Sequence, residues 1–346
     1  PMGELPCPDF SGLPLEIYDA AEKTGHTLTY ETSRGCYWNK CAYCVDLPLP
    51  KPSYRGKPAA LAAQDMAELK KKHRAVYLMC GDPGMSPAQM RALSREILKR
   101  RIKIGWWTMA RLDAGFSRPL FRLAYKAGLR QINFGFESAS DAVCARLHKG
   151  NTSAVSERVL RDCAAAGIRV DLQTMMGLPG ETAEQAMQTV EFLIRNASSI
   201  YDVTFNIYYL TPANNVFLHP GRYGIKFDKP RNRPFQFFHP FRNLAGISPQ
   251  QAARVVGIYR TLLAKDKAAP APRHISDRTR SLPWPKKDSL LTASFRFGRR
   301  SHPFFLFLER KNNTCTTLST KAGRRLKAAL RAGPLSANGR KKLLGE

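Results

Sequence analysis

The sequence predicts an α/β fold: a partial (βα)6 barrel of the TIM type, followed by a basic, partly irregular C-terminal extension. Three observations carry that expectation. Short β-like runs alternate six times with amphipathic runs of helical length, the pattern of βα units feeding a parallel sheet. Three strands place polar residues on one parity: Asn133 with Glu137, Asp171 with Gln173, and Asn206 with Tyr208. Strands buried on both faces of a doubly wound sheet are apolar throughout, so this parity favours a polar-lined barrel interior; a solvent-facing edge strand is the competing account. Beyond residue 264 the alternation stops and the charge balance changes.

The elements follow in order. Residues 1–26 are rich in Pro and Gly and read as a connector. The barrel is expected over 27–215, with strands near 27–32, 75–80, 103–109, 130–136, 169–175 and 202–209. Helices are expected near 59–73, 87–101, 117–127, 139–148, 153–166 and 182–196. Ser86-Pro87-Ala88-Gln89 and Thr182-Ala183-Glu184-Gln185 both have capping-box form, the first with proline at its opening position. Residues 216–264 read as irregular and then helical from about 248, and 265–346 as a basic tail without clear periodicity apart from 319-STKAGRRLKAALRAG-333, either poorly ordered or an interaction segment.

The formal charge is +28, of which the tail holds +15 (20 Lys/Arg against 5 Asp/Glu). A basic excess of this kind attracts phosphate-rich partners or forms a solvated surface. No run approaches the roughly 18 apolar residues of a membrane span, and no secretory leader pattern opens the chain, so a soluble cytoplasmic protein is expected. Eight cysteines in 346 residues are too sparse for a disulfide scaffold.

Three of those cysteines, Cys36, Cys41 and Cys44, fall within 32-TSRGCYWNKCAYCVD-46 at C-x4-C-x2-C spacing. Structural zinc takes four ligands, and no second Cys-x2-Cys knuckle follows. Three thiolates would damp the Lewis acidity of a catalytic zinc. An iron–sulfur cluster remains, its fourth iron left for a ligand that is not protein. The loop follows the first strand, at the end where barrel chemistry is done. Gly35 permits close backbone approach, and Arg34 and Lys40 offset sulfide and thiolate charge.

Together, the run SRGCYWNKCAYC, the six βα units, 134-FGFESAS-140 and 176-MGLPGET-182 resemble the radical S-adenosylmethionine superfamily, most closely members that carry an N-terminal cobalamin-binding domain. The connector 6-PCPDFSGLPLEIY-18 resembles the segment joining that domain to the barrel, and the resemblance extends over about 6–215. Superfamily members usually show C-x3-C-x2-C, so this chain has one extra residue in the first gap.

The resemblance implies a [4Fe-4S] cluster on Cys36, Cys41 and Cys44, with S-adenosylmethionine on the fourth iron. Reductive cleavage would then give a 5′-deoxyadenosyl radical that takes hydrogen from substrate. It places Tyr43 near adenine, Asp82 of 80-CGDPGMSP-87 at the methionine amino group, Glu137 and Gly177 at the ribose or methionine part, and Arg111 at the carboxylate. It also implies a one-electron reductant protein of flavodoxin or ferredoxin type. Cobalamin would enter only through a domain or partner absent from this sequence; with it, methyl transfer becomes the expected outcome.

Each assignment has a plainer competitor. Tyr43 could be packing, Asp82-Pro83-Gly84 an ordinary turn, Glu137 a cap for the next helix, Arg111 a partner for Asp113, and Trp106-Trp107 core. The substrate class stays open among peptide, lipid precursor, small metabolite and RNA. Two alternatives use the basic tail: a radical enzyme modifying RNA, and a non-enzymatic, metal-stabilised nucleic-acid-binding protein.

Overall fold

The computed structural model describes residues 1–18, 25–44, 54–227, 238–264, 289–297, 300–309 and 314–318. Helix α1 (Leu15–Tyr18) precedes strand β1 (His26–Tyr30), and the short strands β2 (Ser33–Arg34) and β3 (Arg55–Gly56) pair beside the cysteine loop. Helix and strand then alternate: α2 (Ala59–His73), β4 (Ala75–Cys80), α3 (Pro87–Lys99), β5 (Gly105–Arg111), α4 (Arg118–Lys126), β6 (Leu129–Glu137). The run continues through α5 (Asp141–Arg146), α6 (Ser153–Ala164), β7 (Arg169–Met176), α7 (Ala183–Arg195) and β8 (Asp202–Ile207). Helix α8 (Asn215–Leu218), the antiparallel pair β9 (Ile225–Phe227) and β10 (Phe241–Asn243), and α9 (Pro249–Ala264) follow.

The main sheet has order β1-β4-β5-β6-β7-β8, every pair parallel. A doubly wound sheet reverses its strand order at a switch point. This one never does, which makes it a curled, partial (βα)6 barrel. Leu28, Leu78, Trp106, Phe134, Leu172 and their parity mates are buried in the apolar core, where Phe134 meets Phe116 and Phe121 edge-on. The opposite parity carries Thr29, Met79, Trp107, Asn133, Asp171, Gln173 and Asn206, each partly or wholly exposed. The polar interior expected from strand parity is present on that face. Two members depart from it: a bulge between Gly135 and Glu137 takes Glu137 out of simple alternation, and Tyr208 lies beyond the end of β8 in a second apolar cluster.

Boundaries moved for local reasons. β1 stops at Tyr30 because the Thr32 and Ser33 amides donate to the Asp82 carboxylate instead of to a neighbouring strand. β5 runs two residues later than expected, so Arg111 is its last residue. Helix α5 is short: Ser140 caps it through the Val143 amide, and the chain turns left-handed at His148 (φ 53°) and Gly150 (φ 75°). Thr182 and Gln185 form the reciprocal capping box. Ser86 also caps its helix, but Gln89 donates its side-chain amide to the Lys57 carbonyl, so that box is half made.

The tail is corrected in part. β11 (Ser289–Phe297), β12 (Arg300–Glu309) and β13 (Thr314–Leu318) form an antiparallel three-stranded sheet, with Phe297 opposite Arg300 and Ala293 opposite Phe304. A two-residue connection between apolar runs is a hairpin signal, here hidden by the basic residues around it. The amphipathic run 319–333 lies outside the described residues. No described helix is long and apolar enough to cross a membrane.

Candidate active site

The cysteine loop leaves the C-terminal end of β1 through a corner held by Asp82. Its carboxylate accepts from the Thr32 amide (2.7 Å), the Thr32 hydroxyl (3.1 Å), the Ser33 amide and the Ser33 hydroxyl (3.0 Å). Asp82 is fully buried, and burial pushes its carboxyl up to about 6 against the pull of those hydrogen bonds. Both oxygens accept from the loop, so Asp82 braces its entry.

Beyond the corner, Gly35 adopts φ 77°. Cys36, Cys41 and Cys44 are outside any disulfide among the described residues, each half-buried. A Cβ on Gly84 would stand 3.3 Å from Cys36 Sγ, so the loop after β4 runs against that sulfur. Among the described residues no three His, Cys, Asp or Glu side chains converge as the ligands of one ion. A cluster that gives each thiolate its own iron needs no such convergence.

Between the first two cysteines, Tyr37 donates to Asp113 (2.9 Å) and Trp38 donates to the His148 carbonyl (2.7 Å). The Trp38 ring lies between the Arg111 guanidinium (4.0 Å) and the Lys40 ammonium (4.9 Å), an arrangement favoured by the ring's negative face. A Cβ on Gly150 would fall 2.0 Å from that ring. The Ala42 amide donates to the Leu147 carbonyl (2.9 Å), while Asn214 donates to the Tyr43 carbonyl (3.2 Å) and the Val216 amide to Ala42 (3.2 Å). Tyr43 is buried in the second apolar cluster with Leu147, Leu178 and Tyr208. Burial, then Glu137 and the neighbouring thiols, push its phenol upward.

At the end of β6, Glu137 adopts φ 69°, rare for a non-glycine residue and characteristic of functional sites. One of its oxygens accepts from Lys149 (3.1 Å), and the other, Oε2, has no partner among the described residues. Lys149 is buried; burial pulls its ammonium down, but Glu137 and Cys41 more than offset this and its titration is raised. Arg111 donates to the Lys149 carbonyl (2.6 Å) and reaches Asp113 only at 3.4 Å, while its Nε has no partner among the described residues. The Asp113 pairing is therefore the weaker of its contacts. Glu137 does not cap the following helix, because Ser140 does.

Gly177 (φ 79°) gives its amide to Glu181 (2.7 Å), which also accepts from the Leu178 amide (3.2 Å) and the Ser138 hydroxyl (3.4 Å). Burial pushes the Glu181 carboxyl up to about 7. The two tryptophans divide: Trp106 is core and donates to the Ala127 carbonyl (3.0 Å), whereas Trp107 faces the concave side.

The structure thus brings Cys41, Tyr43, Glu137 and Arg111 together around Lys149, with Trp38 against Arg111, while Cys36 lies against Gly84. Asp82 stands behind the loop, and Gly177 is tied into its own turn. Lys149, Trp38 and Glu181 were missed in the sequence. Trp38 and Glu181 stood inside the motif runs already singled out, but Lys149 followed a helix whose length was overestimated. Two unpartnered polar atoms, Glu137 Oε2 and Arg111 Nε, an acceptor and a donor, suit an amino acid-like ligand beside the thiols.

Residues 30–193 match the family described as the radical SAM superfamily. An uncharacterized methyltransferase of Pyrococcus horikoshii is 24% identical over 193 residues, covering 55% of this chain and 41% of that protein. The anaerobic magnesium-protoporphyrin IX monomethyl ester cyclase of Rubrivivax gelatinosus is 24% identical over 185 residues, covering 53% and 33%. The chain therefore spans less than half the length of these curated relatives. Among solved structures, the radical S-adenosylmethionine methyltransferase TsrM of Kitasatospora setae superposes with a TM-score of 0.56 at 19% identity, over 78% of this chain and 57% of that one. The cobalamin-dependent radical enzyme OxsB superposes at 0.53 and 15% identity, over 72% and 44%. At these identities the likeness is one of fold.

Proposed function

We propose, from the radical SAM domain that residues 30–193 constitute, that this chain is the catalytic barrel of an enzyme that reductively cleaves S-adenosylmethionine at a [4Fe-4S] cluster and takes hydrogen from a substrate through the 5′-deoxyadenosyl radical. The observation that carries the reading is the cysteine loop: three half-buried cysteines outside any disulfide, following the C-terminal end of β1, with Gly84 against one sulfur. When bound, the cluster supplies the electron and the cofactor the radical.

The chain's own residues hold and orient. Cys36, Cys41 and Cys44 are the ligands in this reading. Glu137 Oε2 accepts from the cofactor's hydroxyls or ammonium, and Arg111 Nε donates to its carboxylate. Tyr43 supplies an apolar ring face, and Gly177 lets the β7 turn pass close. Lys149 and Arg111 place positive charge where thiolates and sulfide gather negative charge. A flavodoxin- or ferredoxin-type protein delivers the electron, in a cytoplasm that keeps the thiols reduced. With cobalamin supplied by a further domain or partner, the outcome is methyl transfer, an activity named for one curated relative.

The test is 5′-deoxyadenosine formation after anaerobic reconstitution with iron and sulfide and reduction by dithionite, beside the triple Cys→Ala protein. Product from the intact protein alone is expected. A protein that carries a cubane yet yields no product, with or without cobalamin, overturns the reading. A second reading, RNA as substrate, is favoured by the net +15 of residues 265–346. It requires salt-sensitive RNA binding that is lost when those residues are removed.

A further inference from the structure

The N-terminal segment and the concave faces of β1, β4 and β5 line an open cleft of about 540 Å³. Its floor is Thr29, Met79 and Trp107, and its wall is built from Leu5, Pro6 and Phe10. The wall is fixed in place. Lys57 donates to the Leu5 carbonyl (3.0 Å) and pairs with Asp65, which also takes the Tyr30 hydroxyl (2.8 Å). The Phe10 amide donates to His73 (3.3 Å), whose ring meets Phe10 edge-on, and Asp9 pairs with Lys72 (2.9 Å).

Inside this fixed shell, Met79 is 42% exposed on a central strand of the main sheet. A large apolar side chain left open on the floor of a concave cleft suits a place that a ligand covers. The cavity volume lies in the range of small-molecule sites, and an apolar cavity of about 150 Å³ already holds benzene. The charged lining groups are already engaged: Glu31 with Arg34 (2.9 Å), and Lys57 with Asp65 and Leu5. The remaining lining, with Met79, Trp107, Pro6 and Pro8, is mainly apolar and favours an uncharged group.

We propose that this cavity is a binding site for a neutral, planar, apolar group of about fused-ring size, with the Thr29 hydroxyl as its one polar contact. It opens beside Tyr30, Glu31 and Gly81, at the strand ends that lead into the cysteine loop. On the reading above, it holds the apolar part of the substrate.

Equilibrium dialysis of the full chain against 2-naphthol and 2-naphthoate at neutral pH tests the site. The two probes share a ring and differ in charge. Saturable binding of one 2-naphthol per chain is expected, with 2-naphthoate at least about tenfold weaker. Met79→Trp fills the cavity and lowers 2-naphthol affinity at least about tenfold, as does Thr29→Trp, which is the readout should the first variant fail to fold. The proposal is overturned by absence of saturable 2-naphthol binding, by binding that both variants leave unchanged, or by equal or tighter binding of 2-naphthoate. No iron, reductant or S-adenosylmethionine is present, so failure here leaves the 5′-deoxyadenosine result standing, and failure there leaves the cavity.

Discussion

Asp82 and Glu181 are buried carboxylates that accept backbone amides at turns. Asp82→Ala strands the Thr32 and Ser33 amides, costing about 2–4 kcal/mol. Because those amides set the entry of the cysteine loop, the variant loses iron after reconstitution instead of merely binding S-adenosylmethionine more weakly. Full iron with weakened cofactor binding would restore the direct-contact role. Glu181 titrates at about 7 against an ordinary 4.5. Its folded form holds the proton more tightly than the unfolded one, so its contribution is complete below pH 4.5 and is lost as pH rises through 7. The loss is on the order of 3 kcal/mol. Urea melts from pH 4 to 8 should show wild type falling relative to Glu181→Gln across that window; parallel curves would contradict it. Such roles were invisible in sequence because desolvation depends on what packs around the group.

At the scale of elements, the alternation of strands and helices was legible because 3.6- and 2-residue periodicities are local properties. The candidate residues Cys36, Cys41, Cys44 and Glu137 could be singled out for the same reason, since they stand in short motifs at strand ends. The clamp that holds the loop was not legible, since it joins Trp38 to Arg111 and to the 148–150 turn across more than 70 residues. Within the C-x4-C gap, Trp38 inserts where Gly150 leaves room. Gly150→Ala should destabilise by about 2 kcal/mol or more, from the clash and the left-handed backbone. In a Trp38→Ala background the same change should cost about 1 kcal/mol, the backbone part alone. Thermal melts of the four proteins give the coupling, and additive costs would dismiss the slot. The half-made box at Ser86 is a smaller lesson of the same kind, since the Gln89 side chain donates to the distant Lys57 carbonyl and does not accept from the Ser86 amide.

For the whole molecule, the N-terminal connector is part of the barrel's wall instead of a free tether. Lys57→Met leaves Asp65 buried without its cation and should cost about 3–5 kcal/mol, whereas Tyr30→Phe removes one hydrogen bond for about 1 kcal/mol; equal costs in denaturant melts would argue against the network. Composition revealed the basic tail but not its β-hairpin, because charge and strand register are independent properties of a sequence.

The strand order of the main sheet has a last implication. Each strand after β1 pairs with the sheet strand made before it, so a chain leaving the ribosome adds every new strand to a waiting edge. Two staples break that sequence, since Asn214 reaches back 171 positions to Tyr43 and Val216 returns to Ala42. Stalled chains ending at residue 200 should therefore react with maleimide at Cys41 and Cys44 faster than chains ending at 264. The loop that is synthesised first is clamped by Arg111 and the 147–148 turn midway and receives its last staples only when residues 214–216 are made.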